Sequence, residues 1–202
     1  MSSRNSLGSA QQEANDLWKE LKANGTLLVC LVIILWAIEL TDQLLGGMLD
    51  SFGIRPRQIG GLQGILFAPF LHGGWRHLIS NTLPLVIMSA IILAIDFDEW
   101  ITVTLFSALT SGLGTWIFGA PGTLHIGVSG VIFGYFGFLV TRAWFERTIG
   151  SLMGAVLILF LFGGMIWGIL PVNVGISWEG HFFGLIGGVL VAKLISLIKR
   201  RA

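Results

Sequence analysis

The chain has 202 residues, of which 54% are hydrophobic and only 11% are charged, with a formal net charge of +1. Soluble domains carry about 25% charged residues, so this composition indicates an integral membrane protein that lies in a lipid bilayer. The near-neutral charge leaves no electrostatic footprint for nucleic acid, and we expect no nucleic-acid partner.

The predicted elements begin with a polar tail over residues 1–25, which we expect to be cytoplasmic and which is either a short helix over 11–23 or loosely ordered. A transmembrane helix needs about 20 mostly apolar residues. Candidate spans follow the tail at residues 26–46, 77–95, 100–118, 129–145, 151–170 and 180–198. We therefore predict an all-α membrane protein, with a six-transmembrane-helix bundle forming one membrane domain over residues 26–202.

Residues 47–76 form a long first loop between the first two predicted spans. The loop contains Arg55-Pro56-Arg57 and then a short apolar run over residues 65–70. It is too apolar for a solvated loop and too interrupted by Pro and Gly to span. We expect it to lie partly in the membrane interface and to pack against the bundle.

The distribution of Lys and Arg predicts the orientation of the chain. With the N-terminus inside, the inner face receives nine of these residues, and the outer face receives three. Cytoplasmic loops carry the excess of Lys and Arg, so both termini are predicted to be cytoplasmic. If the protein is bacterial, we expect the plasma or inner membrane. This orientation brings His77, Ser129 and His181 toward the same, outer face.

A serine and a histidine open the fourth and sixth predicted spans. Ser129 lies in a Gly-Val-Ser-Gly motif at a predicted helix start, where unpaired backbone N–H groups stabilise negative charge. His181 follows 52 positions later and has the ordinary basicity of a general base. Either residue alone also fits a packing role between helices. No carboxylate is placed to orient the imidazole, since Glu179 faces elsewhere, and a Ser–His dyad is more economical than a triad.

The second and fourth predicted spans supply further candidate groups. His77 and Asn81 are four residues apart and share a helix face, where both could donate hydrogen bonds to an oxyanion. Phe133 follows Ser129 by four residues and could stack on the imidazole, although core packing is an equal alternative. On the sixth span, Gly184 and Gly188 form a G-x-x-x-G pattern that would allow close approach of the fourth.

Other membrane chemistries fit the residues less well. A zinc protease would need two His at i and i+4 with a Glu between them, whereas His72 and His77 are five apart. Asp96 and Asp98 lie together at a helix end and so cannot be the opposed pair of an aspartyl protease. We predict no metal and no cofactor.

Together these motifs resemble the rhomboid family of intramembrane serine proteases over about residues 26–198. The motifs that carry the resemblance are the first-loop ending Pro69–His77, His77-x-x-x-Asn81, Gly127-x-Ser129-Gly130, and Gly180-His181 with Gly184 and Gly188. The chain departs from the family at Phe133, where Tyr is frequent, and in the early first loop, which lacks a Trp-Arg pair.

The resemblance implies that Ser129 is the nucleophile and His181 the base, with Asn81, His77 and the Ser129 N–H around the oxyanion. We expect an endopeptidase that cuts single-pass transmembrane substrates near the outer membrane face. Phe160, Phe162 and Trp167 are candidates for a lateral substrate gate on the fifth span. The alternative is a catalytically silent rhomboid-like protein that binds and sorts membrane helices.

Overall fold

The computed structural model describes residues 2–172 and 175–201, and within them the regular structure is helical. The helices are α1 (Ser2–Leu44), α2 (Gly64–Phe67), α3 (Trp75–Ile95), α4 (Phe97–Phe118), α5 (Ser129–Glu146), α6 (Ile149–Phe162) and α7 (Trp178–Lys199). Six of them are long, and they follow the order of the six predicted spans. The all-α prediction is confirmed.

Five helical stretches of the described residues are long and apolar enough to cross a membrane. They are Gln11–Leu44 within α1, all of α3, α4 and α7, and Ile149–Ile169, in which α6 continues as a 3-10 helix. The remaining long helix, α5, is shorter than these five stretches and carries the charged residues Arg142 and Glu146. Most of its side chains are buried against the other helices. Because protein rather than lipid surrounds α5, this helix can carry polar and small residues that a lipid-facing span would avoid.

The predicted N-terminal tail is helical and continues into the first span without a break. Residues 11–23 of α1 are exposed. Over the part of α1 whose side chains are described, the first side-chain hydrogen bond to the bundle is at Asn24, whose Nδ2 donates to the carbonyl oxygen of Leu93 at 3.5 Å, near the end of α3. The bundle therefore begins close to the predicted boundary at residue 26, although α1 itself begins 24 residues earlier, at Ser2.

Helices α5 and α7 pack against each other through glycines in the centre of the bundle. A Cβ atom on Gly184 would overlap the carbonyl oxygen of Gly130, and one on Gly188 would overlap the carbonyl oxygen of Gly134. Only glycine permits this approach of two backbones, as the G-x-x-x-G pattern predicts. The contact sets the spacing of the two helices that begin near Ser129 and His181.

The long first loop folds into short turns that pack on the connection between α4 and α5. Its short elements are Leu49–Phe52, Ile59–Gly61, α2 and Ala68–Phe70. Ile54 pairs with His125 through two backbone hydrogen bonds of 2.9 and 3.0 Å. The Gly127 N–H donates to the Ala68 carbonyl at 2.8 Å. The loop thus braces the segment that leads into α5, and its predicted packing against the bundle is confirmed.

An ion-pair network, buried at Glu99 and Arg142 and half-exposed at Lys199, joins α4, α5 and α7 at the end of the bundle away from Ser129. Arg142 of α5 pairs with Glu99 of α4 and with Glu146, and Lys199 of α7 pairs with Glu99 at 2.6 Å. At a rise of 1.5 Å per residue, Arg142 lies about 20 Å from Ser129 along α5. The charged end and the serine end of α5 are therefore opposite ends of the bundle.

Candidate active site

Ser129 and His181 form a hydrogen-bonded pair at the starts of two packed helices. Ser129 is the first residue of α5, and His181 lies in the first turn of α7. The Ser129 Oγ atom is 2.8 Å from Nε2 of His181. The structure thus brings together two residues that are 52 positions apart in the sequence.

The tautomer of His181 follows from its other ring nitrogen. Nδ1 lies 2.9 Å from the carbonyl oxygen of Gly168. A carbonyl oxygen can only accept, so we assign the ring proton to Nδ1. The lone pair of Nε2 is then free to accept the hydroxyl proton of Ser129, as a general base must.

The His181 ring is further held by stacking on Phe133. The two ring centroids are 4.1 Å apart and the planes are inclined by 12°. The predicted stacking is therefore present. Among the described residues no carboxylate hydrogen bonds to His181, and a backbone carbonyl takes the place that an Asp occupies in a triad.

Ser129 and His181 open into a cavity of about 690 Å³. Its walls come from α3, the α4–α5 connection and the segment before α7, and include Gly73, His77, Ser80, Asn81, Thr123, His125, Ile126, Gly175 and Ser177. Both predicted oxyanion donors, His77 and Asn81, therefore line the same cavity as the serine.

Asn81 is buried, and its Nδ2 has no hydrogen-bond partner among the described residues. A buried amide donor without a partner is unusual and calls for an explanation, such as a ligand that supplies the acceptor. A negatively charged oxygen in the cavity would supply one.

His77 lies against the loop that leads to Ser129. The Gly73 N–H points to Nδ1 of His77 at 3.4 Å, which leaves Nε2 to carry the ring proton and donate it. Gly127 has a φ of +117°, and a Cβ there would lie 2.5 Å from Cε1 of His77. Glycine at position 127 thus provides both the backbone turn before Ser129 and the space for the imidazole.

Two histidines beside the site are held neutral by burial. Burial, and then the proximity of His77, lower the pKa of His72 to about 4. Burial also lowers the pKa of His125, against the opposing effect of Glu179. Both rings are therefore uncharged near pH 7. Within the described residues no group of three or more His, Cys, Asp or Glu side chains could hold a metal ion.

Gly168, His125 and Ser177 are site residues that sequence reasoning missed. His125 Nδ1 lies 2.7 Å from Ser177 Oγ, which makes a second Ser–His contact beside the first. The available signal was spacing, because His125 and Ser177 each precede a member of the first pair by four residues. Gly168 acts through its carbonyl group, for which the sequence carries no signal.

The three gate candidates lie within the predicted fifth span, but not on one helix. Phe160 is on α6 and is 85% exposed, whereas Trp167 is on the 3-10 segment Gly163–Ile169 and is 66% exposed. Phe162, the last residue of α6, packs partly against the core. The α-helix therefore ends earlier than predicted, and the 3-10 segment that follows carries the Gly168 carbonyl to His181.

Comparison with known proteins places these features in a family. Residues 60–198 match the family model described as "Rhomboid domain". An uncharacterized protein of Mycobacterium tuberculosis is 39% identical over 186 residues, which cover 88% of this chain and 78% of that protein. An uncharacterized protein of Mycobacterium leprae is 38% identical over 185 residues, covering 88% and 73%. A Bacillus subtilis protein named "Putative rhomboid protease YdcA" is 28% identical over 133 residues, covering 65% and 66%.

Proposed function

The chain belongs to the rhomboid family and is an integral membrane protein, and we propose that it is a serine endopeptidase that cleaves transmembrane segments of other membrane proteins. The observation that carries the proposal is the 2.8 Å contact between Ser129 Oγ and His181 Nε2. The bond of Nδ1 to Gly168 leaves Nε2 as the basic nitrogen.

In the proposed reaction, Ser129 Oγ attacks the carbonyl carbon of the scissile peptide bond. Its proton passes to Nε2 of His181, and the carbonyl oxygen becomes an oxyanion. His181 then protonates the leaving amine, and an acyl-enzyme forms on Ser129. A water molecule then attacks the acyl carbon while His181 takes its proton. The ester bond to Ser129 Oγ breaks, Oγ regains the proton from His181, and the acid product leaves.

The oxyanion would be stabilised by donors that line the cavity. Asn81 is a candidate because it lines the cavity and its Nδ2 has no hydrogen-bond partner among the described residues. His77 and the N–H of Ser129, at the start of α5, complete the set. Such donors act most strongly where water is excluded and the donors are already in position.

We propose a single-pass membrane protein as the substrate, cut near the outer face of the membrane. A peptide bond inside a helix is shielded by its own hydrogen bonds, so residues that weaken the helix should surround the cut. The Lys and Arg distribution supports an orientation with both termini cytoplasmic and the Ser129 end outside. Entry would be lateral, between α3 and α6, beside Phe160 and Trp167.

The test is substitution of the two reacting residues in the full-length chain in detergent. Ser129→Ala and His181→Ala should each abolish cleavage of a model transmembrane substrate and labelling by a fluorophosphonate probe. Ser51→Ala is a matched control, because Ser51 is exposed and its hydroxyl donates to the Met48 carbonyl, three residues earlier in the first loop. Near-normal turnover by either active-site variant would contradict the assignment of Ser129 and His181 as nucleophile and base. A wild-type protein that is never labelled would favour the catalytically silent alternative.

A further inference from the structure

Ser177 is the residue that directly precedes α7, at the N-cap position. Serine is favoured there because its hydroxyl can accept a hydrogen bond from an N–H of the first turn. In this structure the Ser177 side chain makes no such cap. Its Oγ lies instead 2.7 Å from Nδ1 of His125, on the connection between α4 and α5.

The direction of this hydrogen bond follows from the groups on the other side of the imidazole. The Thr123 hydroxyl donates to the Ala120 carbonyl at 2.6 Å. Thr123 Oγ1 therefore acts as the acceptor in its 2.6 Å contact with Nε2 of His125. The ring proton is then on Nε2, and Nδ1 accepts the proton of Ser177.

The pair joins the two backbone segments that lead into the dyad. His125 lies four residues before Ser129, and its backbone N–H and C=O groups are both hydrogen-bonded to the backbone of Ile54. Ser177 likewise lies four residues before His181, and its carbonyl oxygen accepts a hydrogen bond from the His181 N–H at 3.1 Å. Among the hydrogen bonds of the described residues, the His125–Ser177 bond is the one that connects residues 175–177 to a distant part of the chain.

We propose that His125 and Ser177 are positioning residues of the active site, whose hydrogen bond holds the start of α7 against the α4–α5 connection and so sets the Ser129–His181 distance. This inference rests on the proposed function. Neither side chain exchanges a proton with the substrate. Without the bond, the first turn of α7 loses its lateral support, and the imidazole of His181 moves relative to Ser129.

The experiment compares paired variants of the full-length chain. Ser177→Ala and His125→Ala remove the bond, whereas Ser177→Thr keeps a hydroxyl and His125→Asn keeps an acceptor near the position of Nδ1. Ser51→Ala remains the control. The measurements are the rate of fluorophosphonate labelling, kcat and KM for a transmembrane substrate, and the thermal unfolding midpoint.

We expect Ser177→Ala and His125→Ala to lower the labelling rate and kcat by about tenfold, since small misplacements of reacting groups cost up to ~10²-fold. KM and the unfolding midpoint should change little. The double variant should be no slower than the worse single variant, because the two residues act through one bond. Ser177→Thr and His125→Asn should recover much of the rate.

Several results would overturn the inference. One is a labelling rate of Ser177→Ala equal to that of the wild type, and another is a change in KM without a change in kcat. A third is a loss of rate that parallels a fall in the unfolding midpoint and is not recovered in Ser177→Thr. Labelling of Ser129→Ala that disappears in Ser129→Ala/Ser177→Ala would make Ser177 a nucleophile instead.

Hydrogen exchange gives a readout that does not depend on activity. The amide of His181 should exchange faster in Ser177→Ala than in wild type or Ser177→Thr. Unchanged exchange would contradict the positioning role even if the wild type proved inactive, so the failure of this inference and that of the proposed function can be told apart.

Discussion

The replacement Gly184→Ala tests whether the contact between α5 and α7 sets the geometry of the dyad. The added Cβ would overlap the Gly130 carbonyl oxygen and lie 2.9 Å from its carbonyl carbon. Carbon atoms in contact prefer about 3.5–4.0 Å, so the helices must separate by at least about 0.6 Å, and by about 1 Å to relieve the oxygen. Ser129 adjoins Gly130, so a separation of about 1 Å would lengthen the 2.8 Å Ser129–His181 contact beyond hydrogen-bonding distance.

We therefore expect Gly184→Ala to lower the fluorophosphonate labelling rate by about 10²-fold, with about 1–3 kcal/mol loss of stability from overpacking. Labelling is measured below the unfolding midpoint of the variant, so that the rate reports the folded protein. Gly154→Ala is the matched control, because a Cβ on this α6 glycine would meet nothing within 4 Å. Alanine favours a helix over glycine by about 1 kcal/mol, so the control should be neutral or stabilising. Unchanged labelling by Gly184→Ala would refute the argument.

Three further outcomes are expected. Asn81→Ala should lower kcat by about 10²-fold, the low end of the range for an oxyanion donor, whereas a change in KM alone would assign Asn81 to packing. Trp167→Ala should speed cleavage of a transmembrane substrate more than that of a short soluble peptide, and equal acceleration of both would contradict a gate. Burial, together with Asp42 and Glu39, raises the pKa of Asp50 to about 6, so ionised Asp50 destabilises the fold. The loss of folding stability caused by ionising Asp50 grows from about pH 4 to 6 and stays constant above that range. Asp50→Asn should therefore raise the thermal unfolding midpoint at pH 7.5 but not at pH 4. Equal increases in the midpoint at both pH values would disprove this.

The parts of the site that the sequence predicts are those that depend on helix periodicity. Residues four apart share a helix face, and this rule alone brings Phe133 into stacking range of a group bound by Ser129. A glycine repeat of the same period predicts the close approach of α5 and α7. Ser129 and His181 meet because the glycine repeat brings α5 and α7 together and helix periodicity orients the side chains at the starts of these two helices.

The parts that the sequence does not predict depend on backbone groups and on packing between distant segments. Gly168 orients His181 through a carbonyl oxygen that every residue possesses, and it does so because α6 gives way to a 3-10 helix at Gly163. The burial of Arg142 depends on two carboxylates, Glu146 one turn along α5 and Glu99 on α4, and the contact with Glu99 has no signal in the sequence of α5. Sequence periodicity describes one helix at a time, whereas these contacts need two.

The separation of the ion pairs from the dyad also explains how a polar, open site can remain ordered. Removing one partner of a buried ion pair costs several kcal/mol, so the Glu99–Arg142 pair fixes α4 to α5 firmly at one end. The half-exposed Lys199 adds a weaker, solvent-screened link from α7 to Glu99. The glycine contacts fix the spacing of α5 and α7 between the two ends. At the other end the helix starts are joined by hydrogen bonds between neutral groups, His125–Ser177 and Ser129–His181. The alignment of Ser129 with His181 is thus supported from outside the cavity by the glycine contacts and the ion pairs, and within the cavity wall by the proposed His125–Ser177 bond.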